Sequence, residues 1–388
     1  MSRVLITIGI VFVLLVGSVI FYSQDKAPLE ATVAISQALA GDTTGYMKAL
    51  GPAPILFPED HGAHPGFKLE WWYYTGNLMT EEGRRFGYQF TIFRNALAPP
   101  DSNTLDTDSK WRTDQLYFAH FALSDIENEQ FYAFERFSRG AAGLAGAEAY
   151  PFRVWLDDWE ASQTDDGMPP MRIQAAEGGV ALDITMDLLK PIVFQGEEGY
   201  SVKGPGYGNA SYYYSMTRMA TTGNVTIDGV AHSVEGLSWM DREWSTSLLT
   251  EEQEGWDWFS LHLNDGRDLM YFNVRNRAGD VSPYADGAII SATGEKRALE
   301  PAEVQLEVLD TWESEKGGVY PSKWRMKIPE LDLDLTITPY MSDQELDVSV
   351  RYWEGAVNVE GTADGEPVGG SGYVELTGYD PVALSFTD

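Results

Sequence analysis

Residues 236–245 read GLSWMDREWS, which sets Asp241, Arg242 and Glu243 between Trp239 and Trp244 in a stretch with the character of a strand. In an extended chain Trp239, Asp241 and Glu243 share one face, and Met240, Arg242 and Trp244 the other. Neither face is cleanly apolar, and a strand that buries charge must pair it or use it. If the charge is used, a carboxyl group enclosed by indoles can hold its proton near neutral pH and act as a general acid, although the adjacent Arg242 pulls the other way. Asp241 is the first candidate for that role, because Asp is a poor strand former, and Glu243 is the second. If the charge is paired, DREW is an ion-pair network in which Arg242 anchors carboxylates and locks a seam between domains.

Other chemistries find little support in the sequence. There are no cysteines, which removes disulfides, thiolate metal sites and thiol nucleophiles. No HExxH zinc motif, GxSxG elbow or phosphate-binding glycine loop occurs. His61 and His64 in HGAH have a loose metal-ligand spacing, but in a proline-containing loop they read as exposed polar residues. His120 alternates with Phe118 and Ala122 and reads as a hydrogen-bonded barrel residue, and His262 shares its face with Ser260 and Asn264. Neither a metal nor a cofactor is expected.

The elements that must position the carboxylates are strands. Segments such as LEWWYYTGNL, RFGYQFTIFRN, QLYFAHFALS and WDWFSLHLNDGRDLMYFNVR alternate and are rich in β-branched and aromatic residues. Hairpin pairs such as Asp228-Gly229 and Asp265-Gly266 separate them. A chain of 388 residues exceeds one ordinary core. A fresh hairpin at ATTGNVTIDG places a boundary near Thr221. The expected fold is all-β, with tandem antiparallel barrels over 58–220 and 221–388. EWWYYTGNL (70–78) and RYWEGAVNV (351–359) echo each other weakly, as in a duplicated unit. Consecutive aromatics such as Trp71 to Tyr74 cannot all enter one barrel, so some must fill a second surface such as the seam. The remainder would line an apolar cavity with polar tips.

A formal net charge of −32, from 27 basic and 59 acidic residues, argues against nucleic acid as a partner. Arg3 precedes a charge-free apolar run from Val4 to Tyr22 that is long enough to cross a bilayer. No small-x-small cleavage site follows it closely. Residues 1–24 are therefore expected to be a membrane anchor or signal segment, and 25–57 a tether. The body then faces the periplasm, anchored in the inner membrane, or is released there if the segment is cleaved.

In combination, EWWYYTGNL, YYYSMTRMATTGNVTIDG, GLSWMDREWSTS, GWDWFSLHLNDGRDLMYF and YWEGAVNVEG resemble the AttH-like proteins. These are predicted secreted hydrolases related to the carotenoid 1,2-hydratases (hydroxyneurosporene synthases). The resemblance implies lipocalin-like barrels, export and an ABC-type permease as partner. It also implies a site made of a His and a Trp on one strand with a Tyr and an Asp on a later one. These fall on Arg242, Trp244, Tyr271 and Asn273, so the His has become Arg and the Asp has become Asn. Asn273 cannot donate a strongly acidic proton and Arg242 keeps its own, which disfavours a carotenoid-type hydratase.

Two functions stay open at this point. One is a binding module for a long lipophilic ligand, a lipid or isoprenoid, carried by Trp72, Tyr74, Trp239, Trp244, Trp256, Trp258 and His262. The other is a secreted hydratase or hydrolase with Asp241 or Glu243 as acid. The two substitutions favour the first.

Overall fold

The computed structural model describes residues 42–100, 113–165, 169–247, 249–250, 252–276 and 282–379. Alternating burial along the chain produces strands almost throughout, joined by turns and three short 3-10 turns, with no α-helix among the described residues. The apolar run Val4–Tyr22 lies outside them.

The first sheet is antiparallel and comprises β1 (Leu69–Met79), β2 (Arg85–Ala96), β3 (Gln115–Asp125), β4 (Gln130–Arg139), β5 (Ala145–Ala149), β6 (Phe152–Leu156), β7 (Trp159–Gln163), β8 (Met171–Glu177), β9 (Val180–Leu188), β10 (Val193–Phe194), β11 (Tyr200–Val202), β12 (Ala210–Ile227) and β13 (Val230–Ser245). The second contains β14 (Gln253–Leu263), β15 (Asp268–Asn276), β16 (Asp286–Ile290), β17 (Lys296–Leu299), β18 (Gln305–Glu313), β19 (Val319–Ile328), β20 (Leu333–Pro339), β21 (Glu345–Leu346), β22 (Tyr352–Ala363) and β23 (Glu366–Leu376). Their main orders are 4-3-2-1-13-12-9-8-7-6-5 and 17-16-15-14-23-22-20-19-18.

Each sheet is thus a meander whose first strand pairs with its last, and each curls around its own apolar core into a nearly closed barrel. The repeated order fits a duplicated unit, with β14 rather than β22 as the counterpart of β1. The sheets change over between Ser245 and Gln253, not near Thr221. Thr221 lies buried inside β12, whose aromatic first half and whose hairpin half form one 18-residue strand. The hairpin was legible, with Asp228 and Gly229 both at positive φ, but its second strand β13 closes the first barrel by pairing with β1.

Residues 42–57, expected to be tether, lie against the first barrel where they are described. Ala49 is buried, Ile55 packs on the core and Phe57 stacks on His61 at 4.4 Å. The two barrels meet along a third apolar cluster that includes Tyr73, Tyr213, Trp239, Trp258 and Phe272. At this seam β2 approaches β22 so closely that a Cβ on Gly87 would lie 2.5 Å from Ala356 Cβ, so only glycine fits there. Fully buried Asp268 of β15 pins the seam, accepting from Lys190 Nζ at 2.6 Å and Arg218 Nε at 2.8 Å across it.

Candidate functional site

The site is built by strand parity. Around β13 the register pairs Tyr73 and Ser215 with Asp241, and Trp71 and Tyr213 with Glu243. Cross-strand partners share a face, so all six side chains point to the seam. The intervening residues pair Trp72 and Tyr214 with Arg242, and Tyr212 with Trp244, and point into the first barrel. The same rule operates in the second sheet. Trp258 sits between Phe272 and Glu375, and Glu375 is directly opposite Glu354, so these face the seam. Asp257, Tyr271 and Asn273 take the opposite face.

Between the sheets lies a cavity of about 110 Å³. Its apolar walls come from Trp71, Phe93 and Phe118 on one side and Trp256, Trp258 and Phe272 on the other. Four acidic residues are among those that line it: Asp241, Glu243, Glu354 and Glu375. Lys203 is the one lysine or arginine on its walls among the described residues, its Nζ 3.0 Å from Glu243 Oε1 and 3.9 Å from the Phe272 ring centroid. The volume suits one ring or a short branched unit, so a long ligand would have to extend through the mouth.

Asp241 is the most elaborately held of the four. Ser215 Oγ donates to Oδ1 at 2.5 Å, Trp239 Nε1 to the same oxygen at 2.7 Å, and Tyr213 Oη to Oδ2 at 2.6 Å. These donors favour the ionised form. Burial, assisted by the charge of Glu243, outweighs them and pushes the carboxyl up to about 7. Glu375 is raised to about 8 by burial, with Asp241 and Glu243 adding to the effect. Glu354 is raised well above the ordinary range by burial and by Glu375, although Tyr73 Oη donates to its Oε2 at 2.9 Å. The cavity therefore holds carboxyl groups able to give a proton near neutral pH and, in Glu243 with Lys203, an ion-paired carboxylate able to receive one. A second polar edge crosses the seam, where His120 Nδ1 is 2.6 Å from Tyr352 Oη and its Nε2 is 3.3 Å from Glu135.

The expected convergence of Arg242, Trp244, Tyr271 and Asn273 does not occur. Arg242 is fully buried inside the first barrel. It donates to Glu70, to the Gly62 carbonyl at 2.5 Å and to the Trp71 carbonyl at 3.3 Å, and lies 3.9 Å over Trp72. Glu70 also accepts from Arg94. Burial alone would raise Glu70, but Arg242 and Arg94 more than offset it and hold the carboxyl well below its usual range. Trp244 belongs to the first barrel's core, and Tyr271 to the second's. Asn273 stands opposite Asp257 on that same inner face. Each pair faces the interior of its own barrel, Arg242 with Trp244 in the first and Tyr271 with Asn273 in the second, so the walls of both barrels stand between them.

Of the expected ligand-binding residues, Trp256 and Trp258 line the cavity, and Trp239 sits behind Asp241. Trp72 and Tyr74 fill the first core, so in the WWYY run the seam takes Trp71 and Tyr73 instead. His262 lies in the seam beside Trp239, bonded to the Thr217 carbonyl at 2.7 Å, and is not on the cavity wall. His61 and His64 are not exposed loop residues. His61 is buried against Phe57 and bonded to Tyr214 Oη at 2.7 Å, and His64 stacks on Trp244 at 3.9 Å between Asp60 and Glu70. The run of prolines and glycines hides the fact that this loop caps the barrel's mouth.

A family model for AttH-like proteins matches residues 48–379. The chain belongs to the AttH-like family. Among solved structures, this AttH-like chain is similar to an AttH protein of Nitrosomonas europaea, with 36% identity and a TM-score of 0.75 over 86% of this chain and 99% of that one. It is also similar to kievitone hydratase of Nectria haematococca, with 17% identity and a TM-score of 0.65 over 92% and 99% of the two chains. CghA with Sch210972 gives 14%, 0.54, 91% and 99%. At such low identities the last two show a shared fold. No curated protein matches the sequence.

Sequence reasoning missed Glu354, Glu375, Lys203 and His120 as site residues. The glutamates had a signal of the same kind as Asp241, an acid on an otherwise apolar strand face in YWEGAV and GYVELTGY. Lys203 sits in a glycine- and proline-rich connection whose path sequence alone does not reveal.

Proposed function

We propose that the seam cavity is an acid–base active site for a small, mainly apolar molecule, and that its reaction is addition of water to a carbon–carbon double bond. The observation that carries this reading is Asp241, a carboxyl group raised to about 7 on the wall of an aromatic cavity. Its proton would pass to one alkene carbon. The cation left on the neighbouring carbon would face the rings of Trp71 and Trp258, and a water would close on it. The proton that water sheds would go to Glu243, leaving C–H and C–OH bonds where the double bond was.

The grounds for preferring a carrier were Arg242 and Asn273, and both lie on faces turned away from the cavity. The same fold carries a hydratase in kievitone hydratase, which supports the reading by analogy alone. Anchoring by Val4–Tyr22 on the periplasmic side and service to an ABC-type permease belong to the proposal as its setting.

Native mass spectrometry of the purified full chain, followed by extraction of what it retains, tests the reading. The expected extract contains an alkene and its water adduct, and incubation with the alkene makes more of the adduct. A retained molecule recovered unchanged after incubation would sink the enzyme and leave a binding module.

A further inference from the structure

The cavity has more acid than it has base. Glu354 is fully buried, yet its Oε1 has no hydrogen-bond partner among the described residues, while its Oε2 is taken by Tyr73. Glu375 stands directly across the ladder from it, and like charges there repel. Asp241 and Glu243 face the same space from the first sheet. Lys203 is committed to Glu243, and His120 to Tyr352 and Glu135. The remaining groups around Glu354, Tyr352 and Tyr373, are phenols that burial keeps neutral. Nothing within the described protein therefore supplies the positive charge that Glu354 and Glu375 would need in order to ionise together.

The protein also shows how a cation is accommodated on these walls. Lys203 Nζ lies over the Phe272 ring at 3.9 Å and the Tyr213 ring at 4.9 Å while it meets a carboxylate. That combination of aromatic faces and a carboxylate is how proteins recognise ammonium groups. The same walls set Glu354 and Glu375 among Trp71, Tyr73 and Trp258, and no lysine or arginine among the described residues pairs with either glutamate.

We propose that the molecule bound in the seam carries a cationic nitrogen on an apolar or aromatic body, and that Glu354 receives that nitrogen. The inference rests on the seam cavity being a ligand site and adds the charge of the ligand. A protonated amine entering beside Glu354 releases the proton held there and forms the ion pair that the empty cavity lacks.

The experiment is isothermal titration of the full chain with three probes of one shape: 2-phenylethylamine, 2-phenylethanol and phenylacetate. The amine is expected to bind about tenfold more tightly than the alcohol. It should release protons on binding, detected as a heat that changes with the buffer, and its advantage should grow from about pH 6 to about pH 8.5 as the acidic groups ionise. Phenylacetate should be the weakest. Glu354→Gln should erase the amine's advantage while leaving the alcohol within about twofold. The pH series on the unaltered chain decides the matter even where the variant folds poorly. Alcohol binding equal to amine binding, with no proton release, overturns the inference and leaves the seam as a ligand site. If none of the three binds, the inference and the ligand site fall together.

Discussion

Asp241 and Glu375 hold protons at pH values where carboxyl groups in water have lost them, and that costs stability in a definite pH window. A folded-state value raised above the unfolded one means that the folded chain binds the extra proton. Stability is then unpenalised below about pH 4 and falls as pH rises through about 7 to 8. Glu375→Gln is therefore expected to raise the melting temperature at pH 8.5, by an amount corresponding to on the order of 1–3 kcal/mol, and to change it little near pH 5. Thermal melts of the two proteins at both pH values check this, and a larger gain at the lower pH would contradict it. The alternation of an extended chain made Asp241 and Glu243 of the DREW segment legible as partners on one face. It did not reveal which of the two faces met the cavity, because both faces of β13 are buried, one by each barrel.

Consecutive residues of the same strands serve two structures at once. On β13 the odd positions 241 and 243 build the cavity, and the even positions 242 and 244 build the first barrel's core. Arg242 is thus the paired charge, held with Glu70 inside the first barrel and not at a seam between domains, while Asp241 and Glu243 on the opposite face line the cavity and are the charges proposed to be used. Arg242→Ala should strand Glu70 with one remaining arginine partner and open a void under Trp72, destabilising the fold by about 3–5 kcal/mol. Denaturant unfolding measures it. Because Arg242 does not reach the cavity, folded Arg242→Ala should still bind a seam ligand within a few-fold, whereas loss of binding in a folded variant would place Arg242 in the site. The WWYY run shows why the aromatic set was half legible. Its alternation guarantees that one pair faces the seam, but pattern alone does not choose between Trp71 with Tyr73 and Trp72 with Tyr74.

The described residues form two curled sheets of one strand order, and the acid-lined cavity exists only where they meet. Strand density and hairpin pairs made the all-β architecture readable. The changeover at Ser245–Gln253 was not, because the long strands β12 and β13 carry the first barrel past the point where the hairpin suggests a new domain. At this scale the proposed setting predicts that N-terminal sequencing of membrane-extracted protein begins before Val4. A mature start between Ser23 and Gly41 would show that the segment is removed. The central claim, that Asp241 delivers a proton to a molecule held between the barrels, is tested most directly by the rate of water addition to the extracted ligand. That rate is to be measured from about pH 5 to pH 9 for the unaltered chain and for Asp241→Asn. The account predicts a rate that falls roughly tenfold per pH unit above about 7, as the acid loses its proton, and a loss of about 100-fold or more in Asp241→Asn with ligand still bound. A rate in Asp241→Asn within a few-fold of the unaltered chain, or one that climbs steadily above pH 7, would contradict it.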